Sequence, residues 1–165
     1  AMTYYLDEKN IKLFTEMGVY SEAELKDHYE IKLEKYCKVL NIEVETMLEM
    51  INKDILPAAF NYINAVSSTA VNLKTALPSA KLSAETKLLE KLDSLVNELC
   101  EKEAELAKQH AKAKQGKDNM STACAYKDFV LPAMSQARTV ADEIEVLLGE
   151  EYKPFPCYED LLFRL

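Results

Sequence analysis

The stretch LKDHYEIKLEKYCKVLNIEVETMLEMINKDILPAAFNYINAV, residues 25–66, decides the fold. Its apolar residues recur in steps of four, four and three, which is an 11-residue period of about 3.67 residues per turn. An unstrained α-helix has almost this period, so the pattern predicts one long helix rather than several short ones. The stripe consists of Leu25, Tyr29, Leu33, Tyr36, Leu40, Val44, Met47, Ile51, Ile55, Ala58, Tyr62 and Val66.

The ends of this first helix follow from local signals. Ser21 and Glu24 form a capping-box pattern, in which each side chain can bond a free amide of the first turn. Pro57 removes one backbone hydrogen bond from the helix interior. Because the stripe keeps its phase across Pro57, we expect a helix over about 22–75 that is kinked at Pro57 but not broken.

Two further helices are predicted, over about 83–115 and 121–148. Each carries one apolar face, and the last stops at Gly149. Three such stripes can be buried against one another, so we predict an all-α, antiparallel three-helix bundle over 21–149. A segment with a short helix, 1–20, precedes it, and an extended Pro- and aromatic-rich tail, 150–165, follows it. The two apolar faces are Leu89, Leu92, Val96, Leu99, Leu106 and Ala113, then Tyr126, Val130, Met134, Ala137, Ala141, Ile144 and Leu148.

Helix lengths predict how the three helices line up. The second helix is long enough to return only to about the level of residue 43, at about 1.5 Å per residue. The first half of helix one, about 22–42, should then project and need another partner for its apolar stripe. Candidates are the N-terminal segment, the tail or another protein. The same arithmetic places Pro57 and Pro132 at one level, with their kinks bending neighbouring helices together.

Composition excludes several classes of protein. The chain has 165 residues, a net charge of −8 and 48% hydrophobic residues, which suits one globular domain. The negative charge disfavours nucleic-acid binding. No apolar run reaches the roughly 18 residues of a membrane span. Four widely spaced cysteines, at positions 37, 100, 124 and 157, suggest buried or half-buried thiols in a reduced, cytoplasmic setting.

Candidate chemistry is sparse. Neither histidine carries the Glu-x-x-His pattern of di-metal bundles, and no Cys/His cluster has zinc spacing. His28 is expected to pair with Glu24 on the helix surface. His110 falls on the apolar seam, where we expect the bundle to open to solvent. Arg138 and Asp142 have the spacing of a surface pair or of a charged contact to a neighbouring domain. We therefore predict no catalytic, cofactor-binding or metal-binding residue.

The tail carries a more specific signal. It contains the short motifs Pro154-Phe155-Pro156, Tyr158 and Asp160-Leu161-Leu162-Phe163. This pattern resembles the WPFPTYxDLLF-like sequence that closes type III glutamine synthetases. Tyr152-Lys153 stands where that family usually has Trp, and Cys157 where Thr is common. Further words match in order, including Leu33-Glu34-Lys35-Tyr36, Ile55-Leu56-Pro57-Ala58, Pro132-Ala133-Met134, Arg138, Asp142 and Glu145.

The resemblance implies a division of labour. Glutamine synthetases join glutamate and ammonia with ATP, through a γ-glutamyl phosphate, and use Mg or Mn held by a β-rich core. That core would lie upstream, and none of its functional residues maps onto this chain. The resemblance thus implies a C-terminal helical domain, inactive alone, that serves structure, assembly or interdomain packing with the core and with neighbouring subunits of a large cytoplasmic homo-oligomer.

Two other readings stay open at this stage. One is a free-standing helical adaptor, and the other is a small enzyme with a site between its helices. If the chain is a synthetase domain or an adaptor, the apolar residues of the projecting arm and of the tail form the interface. These are Leu25, Tyr29, Leu33, Tyr36, Pro154, Phe155, Pro156, Tyr158, Leu161, Leu162 and Phe163.

Overall fold

The fold is described here from a computed structural model that covers residues 2–156 and 158–163, without the side chains of residues 158 and 159. The residues in these ranges form helices, turns and connections and no strand. The chain is all-α, as its sequence predicts. Cys157, one of the four cysteines, lies outside the described residues.

The long helix starts at the capping box. Helix α1, Glu8–Glu16, precedes it, and α2 spans Glu22–Met50. The Ser21 backbone N–H donates to Glu24 Oε2 at 2.8 Å, and the Glu24 N–H donates to Ser21 Oγ at 3.3 Å. Helical structure continues through Ile51–Ile55 into α3, Leu56–Ala76. The single long helix predicted from residues 25–66 is confirmed.

Each interior proline is preceded by one wide helical turn. In Ile51–Ile55 the backbone has π-helical geometry, and the N–H of Leu56 donates to the carbonyl of Ile51. The same geometry occurs in Tyr126–Val130, where Leu131 donates to Tyr126. A π turn inserts one extra residue per turn and occurs mainly as a single bulge within an α-helix. The helix thereby accommodates the missing proline N–H without ending.

Helix α4, Ser83–Ala113, returns antiparallel to the long helix. A turn leads to α5, Asn119–Ala125, which continues through Tyr126–Val130 into α6, Leu131–Leu147. At this turn a side chain on Gly116 would collide with Thr122, so glycine is required. Asp118 caps α5 through the N–H of Ser121 at 2.7 Å. Helices α4 and α6 therefore lie side by side against the long helix.

The core has an upper and a lower cluster of buried residues. Leu99 and Leu106, both fully buried on α4, belong to the upper and lower cluster respectively. The upper cluster is Ile51, Ile55, Leu56, Ala59, Leu95, Val96, Leu99, Ala137, Val140, Ala141, Ile144 and Leu148. The lower cluster is Leu40, Val44, Leu106, Ala113, Tyr126, Val130 and Ala133. Fourteen of these nineteen residues belong to the three predicted stripes.

The two prolines do not lie at one level, so that expectation is wrong. Val130 and Ala133, on either side of Pro132, belong to the lower cluster with Val44, whereas Leu56, next to Pro57, belongs to the upper cluster. Pro57 lies about thirteen residues, or roughly 20 Å, beyond Val44 along the long helix. The length argument failed because the turn after α4 descends below residue 43: Asn119 Nδ2 donates to Glu30 Oε2 at 2.8 Å. The third helix therefore starts lower than its length alone suggested.

The core predicts a specific cost of truncation. Replacing the fully buried Leu99 by Ala should lower the free energy of unfolding by about 2–5 kcal/mol, through lost burial and a residual cavity. Leu77→Ala, at a position 51% exposed in the loop after α3, should cost less than about 0.5 kcal/mol. Urea unfolding followed by circular dichroism measures both values. Similar losses in the two variants would contradict the assigned core.

Candidate interaction surfaces

The N-terminal segment covers the start of the long helix. The Tyr5 ring stacks on Tyr29 with 6.1 Å between centroids, and Lys32 Nζ lies 4.8 Å from the centre of the Tyr5 ring. Further along, Tyr20 packs between Phe14, at 6.0 Å, and His28, at 4.8 Å. Of the three partners expected for this part of the stripe, the chain's own N-terminal segment makes these contacts.

This cover changes what the arm can offer to another protein. Leu25 is fully buried and Leu33 is 3% exposed, so neither presents a contact surface in the isolated chain. Tyr29 is half-buried, and Tyr36 is 38% exposed. Of the four arm residues that the sequence suggested, Tyr36 alone presents more than a third of its surface.

Two charged pairs were predicted on the helix surfaces, Glu24 with His28 and Arg138 with Asp142. Glu24 is engaged by Ser21, whose backbone and side-chain hydrogen bonds lower the Glu24 pKa. His28 packs against Tyr20 instead of forming a close ion pair with Glu24. Arg138 Nε lies 3.5 Å from Asp142 Oδ2 on the exposed surface of α6. The exposed Arg138–Asp142 pair contributes little to stability.

The tail divides into a docked part and an exposed part. A short 3₁₀ turn, Glu150–Tyr152, places the Tyr152 ring 5.2 Å from Tyr62, and Phe155 packs against the upper core cluster. Pro154 is half-buried and Pro156 is exposed. The described tail is thus helical on both sides of residues 153–156, and these bend at Pro154 and Phe155, so the expectation of an extended tail is wrong for most of its length.

The end of the tail is a short helix, which the sequence analysis did not foresee. Helix α7 spans Tyr158–Phe163. Leu161, Leu162 and Phe163 are 65%, 72% and 80% exposed. Three adjacent large apolar side chains therefore stand exposed at the end of the described chain. The Tyr158 side chain lies outside the described ones.

A buried polar group lies at the lower end of the bundle. His110 on α4 is 6% exposed, and its Nε2 lies 3.0 Å from Asn41 Oδ1. The Tyr126 hydroxyl lies 3.5 Å from the same oxygen. The expectation that the seam opens to solvent at His110 is therefore wrong. The third helix starts low enough for Tyr126 to cover this position, and Asn41 satisfies the histidine.

Burial lowers the pKa of His110, and the nearby Lys114 ammonium lowers it further. Glu45 acts in the opposite direction but is itself paired, 2.7 Å from Lys114 Nζ. Burial also raises the pKa of the Tyr126 hydroxyl. The neutral histidine is thus the form that fits the fold, and its role here is structural.

The described residues offer no candidate metal centre. Within 2–156 and 158–163, no three His, Cys, Asp or Glu side chains are grouped so as to hold a metal ion. Cys37, Cys100 and Cys124 are free thiols, and Cys100 and Cys124 are exposed, contrary to the expectation of buried or half-buried thiols. We assign no metal or nucleotide ligand to these residues. No helix in the described part is long and apolar enough to cross a membrane.

Comparison with known proteins shows which enzymes the sequence resembles. Residues 1–74 match the family model described as the glutamine synthetase C-terminal domain. This part of the chain is similar to the C-terminal domain of glutamine synthetases. This confirms the resemblance for the motifs of the long helix, which lie within the matched residues.

Curated relatives extend the match over the whole chain. It is 34% identical to a glutamine synthetase of Butyrivibrio fibrisolvens and 29% identical to a type-3 glutamine synthetase of Dictyostelium discoideum. A glutamine synthetase of Bacteroides fragilis (strain YCH46) is 24% identical. Each match covers 99% of this chain but 23% of the relative. The chain therefore spans about a quarter of the length of these glutamine synthetases.

The buried histidine predicts an acid-sensitive fold. The unfolded chain protonates His110 near its ordinary pKa of 6.5, whereas the folded chain resists protonation. Stability should be fully present above about pH 6.5 and fall as the pH drops below that value. His110→Gln should reduce this loss between pH 7.5 and 5.5, as measured by urea unfolding. An unchanged pH dependence in His110→Gln would contradict the assignment.

Proposed function

We propose that this chain is the helical packing domain of a glutamine synthetase and performs none of the chemistry itself. The observation that carries the proposal is a sequence match. Nearly the whole chain aligns with about a quarter of the length of enzymes named glutamine synthetases. The absence of an assigned site among the described residues is compatible with it. In this proposal the upstream part of the same protein binds glutamate, ammonia, ATP and Mg or Mn, and makes glutamine, ADP and phosphate.

The exposed end of the tail supports the packing role. Leu161, Leu162 and Phe163 stand in water although the preceding Tyr152 and Phe155 are already docked on the bundle. Burying three such side chains stabilises a contact by about 1.5–3 kcal/mol each at most. We propose that α7 packs on the upstream core or on a neighbouring subunit of a large homo-oligomer in the cytoplasm.

The proposal that this domain has no catalytic activity of its own is directly testable. The 165-residue chain, supplied with ATP, glutamate, ammonia and either Mg²⁺ or Mn²⁺, should release no phosphate above a blank without protein. A coupled phosphate assay measures this, and a full-length glutamine synthetase containing the chain serves as the positive control. Measurable glutamine formation by the isolated chain would contradict the proposed division of labour.

The packing role predicts that one substitution in the tail has different effects in the isolated chain and in the full-length protein. In the isolated chain, Phe163→Ser should leave the melting temperature unchanged because the side chain is already 80% exposed. In the full-length protein the same change should weaken subunit or interdomain association, seen as dissociation at higher protein concentration in analytical ultracentrifugation.

Val146→Ser is the matched control, since Val146 is 84% exposed on α6 and lies outside the tail. It should leave the association of the full-length protein unchanged. If Phe163→Ser and Val146→Ser behave alike in the full-length protein, the tail is not the contact. A reading frame that starts immediately before this chain would instead favour a free-standing adaptor.

A further inference from the structure

An open groove lies between the long helix and α6, on the flank of the bundle. Its volume is about 540 Å³. The floor is formed by Ile51 and Ile55 from the wide turn and by Ala137 and Ala141 from α6. The two alanines have no side chain beyond Cβ, so they leave space where larger residues would fill the gap between the helices. Phe155 of the tail lies at the lining but does not fill the groove.

Methionines form the sides of this groove. Met47, Met50 and Met134 line it, which is three of the six methionines in the chain. Ile42, 62% exposed, extends the apolar surface towards solvent. Methionine is unbranched and polarisable, and it is used where an apolar surface must adapt to a partner. The lining therefore suits an apolar segment of a second protein better than one rigid small molecule.

The rim of the groove is acidic. Glu43, Asp142 and Glu145 contribute three carboxylates, and Arg138 is the one cationic side chain among the described residues of the lining. Arg138 is paired with Asp142 at 3.5 Å. Two carboxylates, those of Glu43 and Glu145, remain to face a partner across the rim. Charge complementarity therefore favours a partner with Lys or Arg beside its apolar residues.

We propose that this groove binds an amphipathic helix with a basic flank. Residues Ile42 to Ile55 line one side, and at about 1.5 Å per residue this is roughly 20 Å, or three to four turns of a helix. An apolar face would enter between the methionines, and basic residues would lie against Glu43 and Glu145. The binding mode goes beyond the proposed packing of α7 and does not depend on it.

The chain's own tail helix is a poorer occupant. Its apolar residues follow Glu159 and Asp160 directly in sequence and precede Arg164, so two acidic residues and one basic residue would approach an acidic rim. Like charges brought together at a contact oppose binding. Exchange of α7 between two copies of the chain is therefore an alternative that the binding experiment must distinguish from a basic helix.

The experiment uses the 165-residue chain and two fluorescent peptides of about 14 residues, matched to the groove's length. Both peptides carry Leu on one helical face, with Lys on the flanks of one and Glu on the flanks of the other. Fluorescence anisotropy should show saturable binding of the Lys peptide and binding at least about tenfold weaker for the Glu peptide. Equal affinity for the two peptides, or preference for the Glu peptide, would overturn the proposal.

A matched pair of variants separates the groove from general attraction to an acidic protein. Glu145→Lys should weaken binding of the Lys peptide about fivefold or more. Glu143→Lys makes the same change in net charge on α6, but Glu143 lines another surface with Lys91 and Thr139. It should alter affinity by less than about twofold, which is within ordinary surface screening.

Met50→Ser tests the apolar contribution at a side chain that is 36% exposed and lines the groove. It should also weaken binding of the Lys peptide, while thermal melts confirm that all three variants are folded. Equal loss of affinity in Glu145→Lys and Glu143→Lys would show non-specific charge attraction and contradict the groove. An unchanged affinity in Met50→Ser would contradict the apolar contact.

Discussion

Burial of one continuous apolar stripe along the long helix is the constraint on which this structure depends. Val44 and Ile51 belong to different core clusters, and yet both are buried on the same helix against α4 and the third helix. A break between them would separate the clusters. The wide turn before Pro57 preserves the helix and keeps Ile51 and Ile55 facing inward, so the core depends on how this proline is accommodated.

Much of the fold could be predicted because the signals are local and repeated. The 11-residue period, the Ser21 cap and the stop near Gly149 each depend on residues close together in the chain. The levels of the helices could not be predicted, because they depend on how far the turn before Asn119 descends. The solvent exposure of His110 was misjudged for the same reason, since it depends on which residue of the third helix reaches it.

The interaction surfaces could be predicted only in part from the sequence. The apolar composition of the tail was evident, but its docking through Tyr152 and Phe155 depends on Tyr62 and the upper core, which are distant in sequence. The arm stripe looked unpartnered because the cover from Tyr5 and Tyr20 involves isolated aromatic residues without a period. The groove was not predicted, because alanines at 137 and 141 are equally compatible with close packing between two helices.

We propose that the bundle is self-supporting and that its last short helix, Tyr158–Phe163, packs on the rest of a larger protein. Amide hydrogen exchange, followed by mass spectrometry on the isolated chain and on the full-length protein, tests it most directly. Amides around Leu99 should be protected in both, because their burial needs no other segment. Amides of Tyr158–Phe163 should exchange rapidly in the isolated chain and slowly in the full-length protein. Equal exchange of this helix in the two proteins would contradict the account.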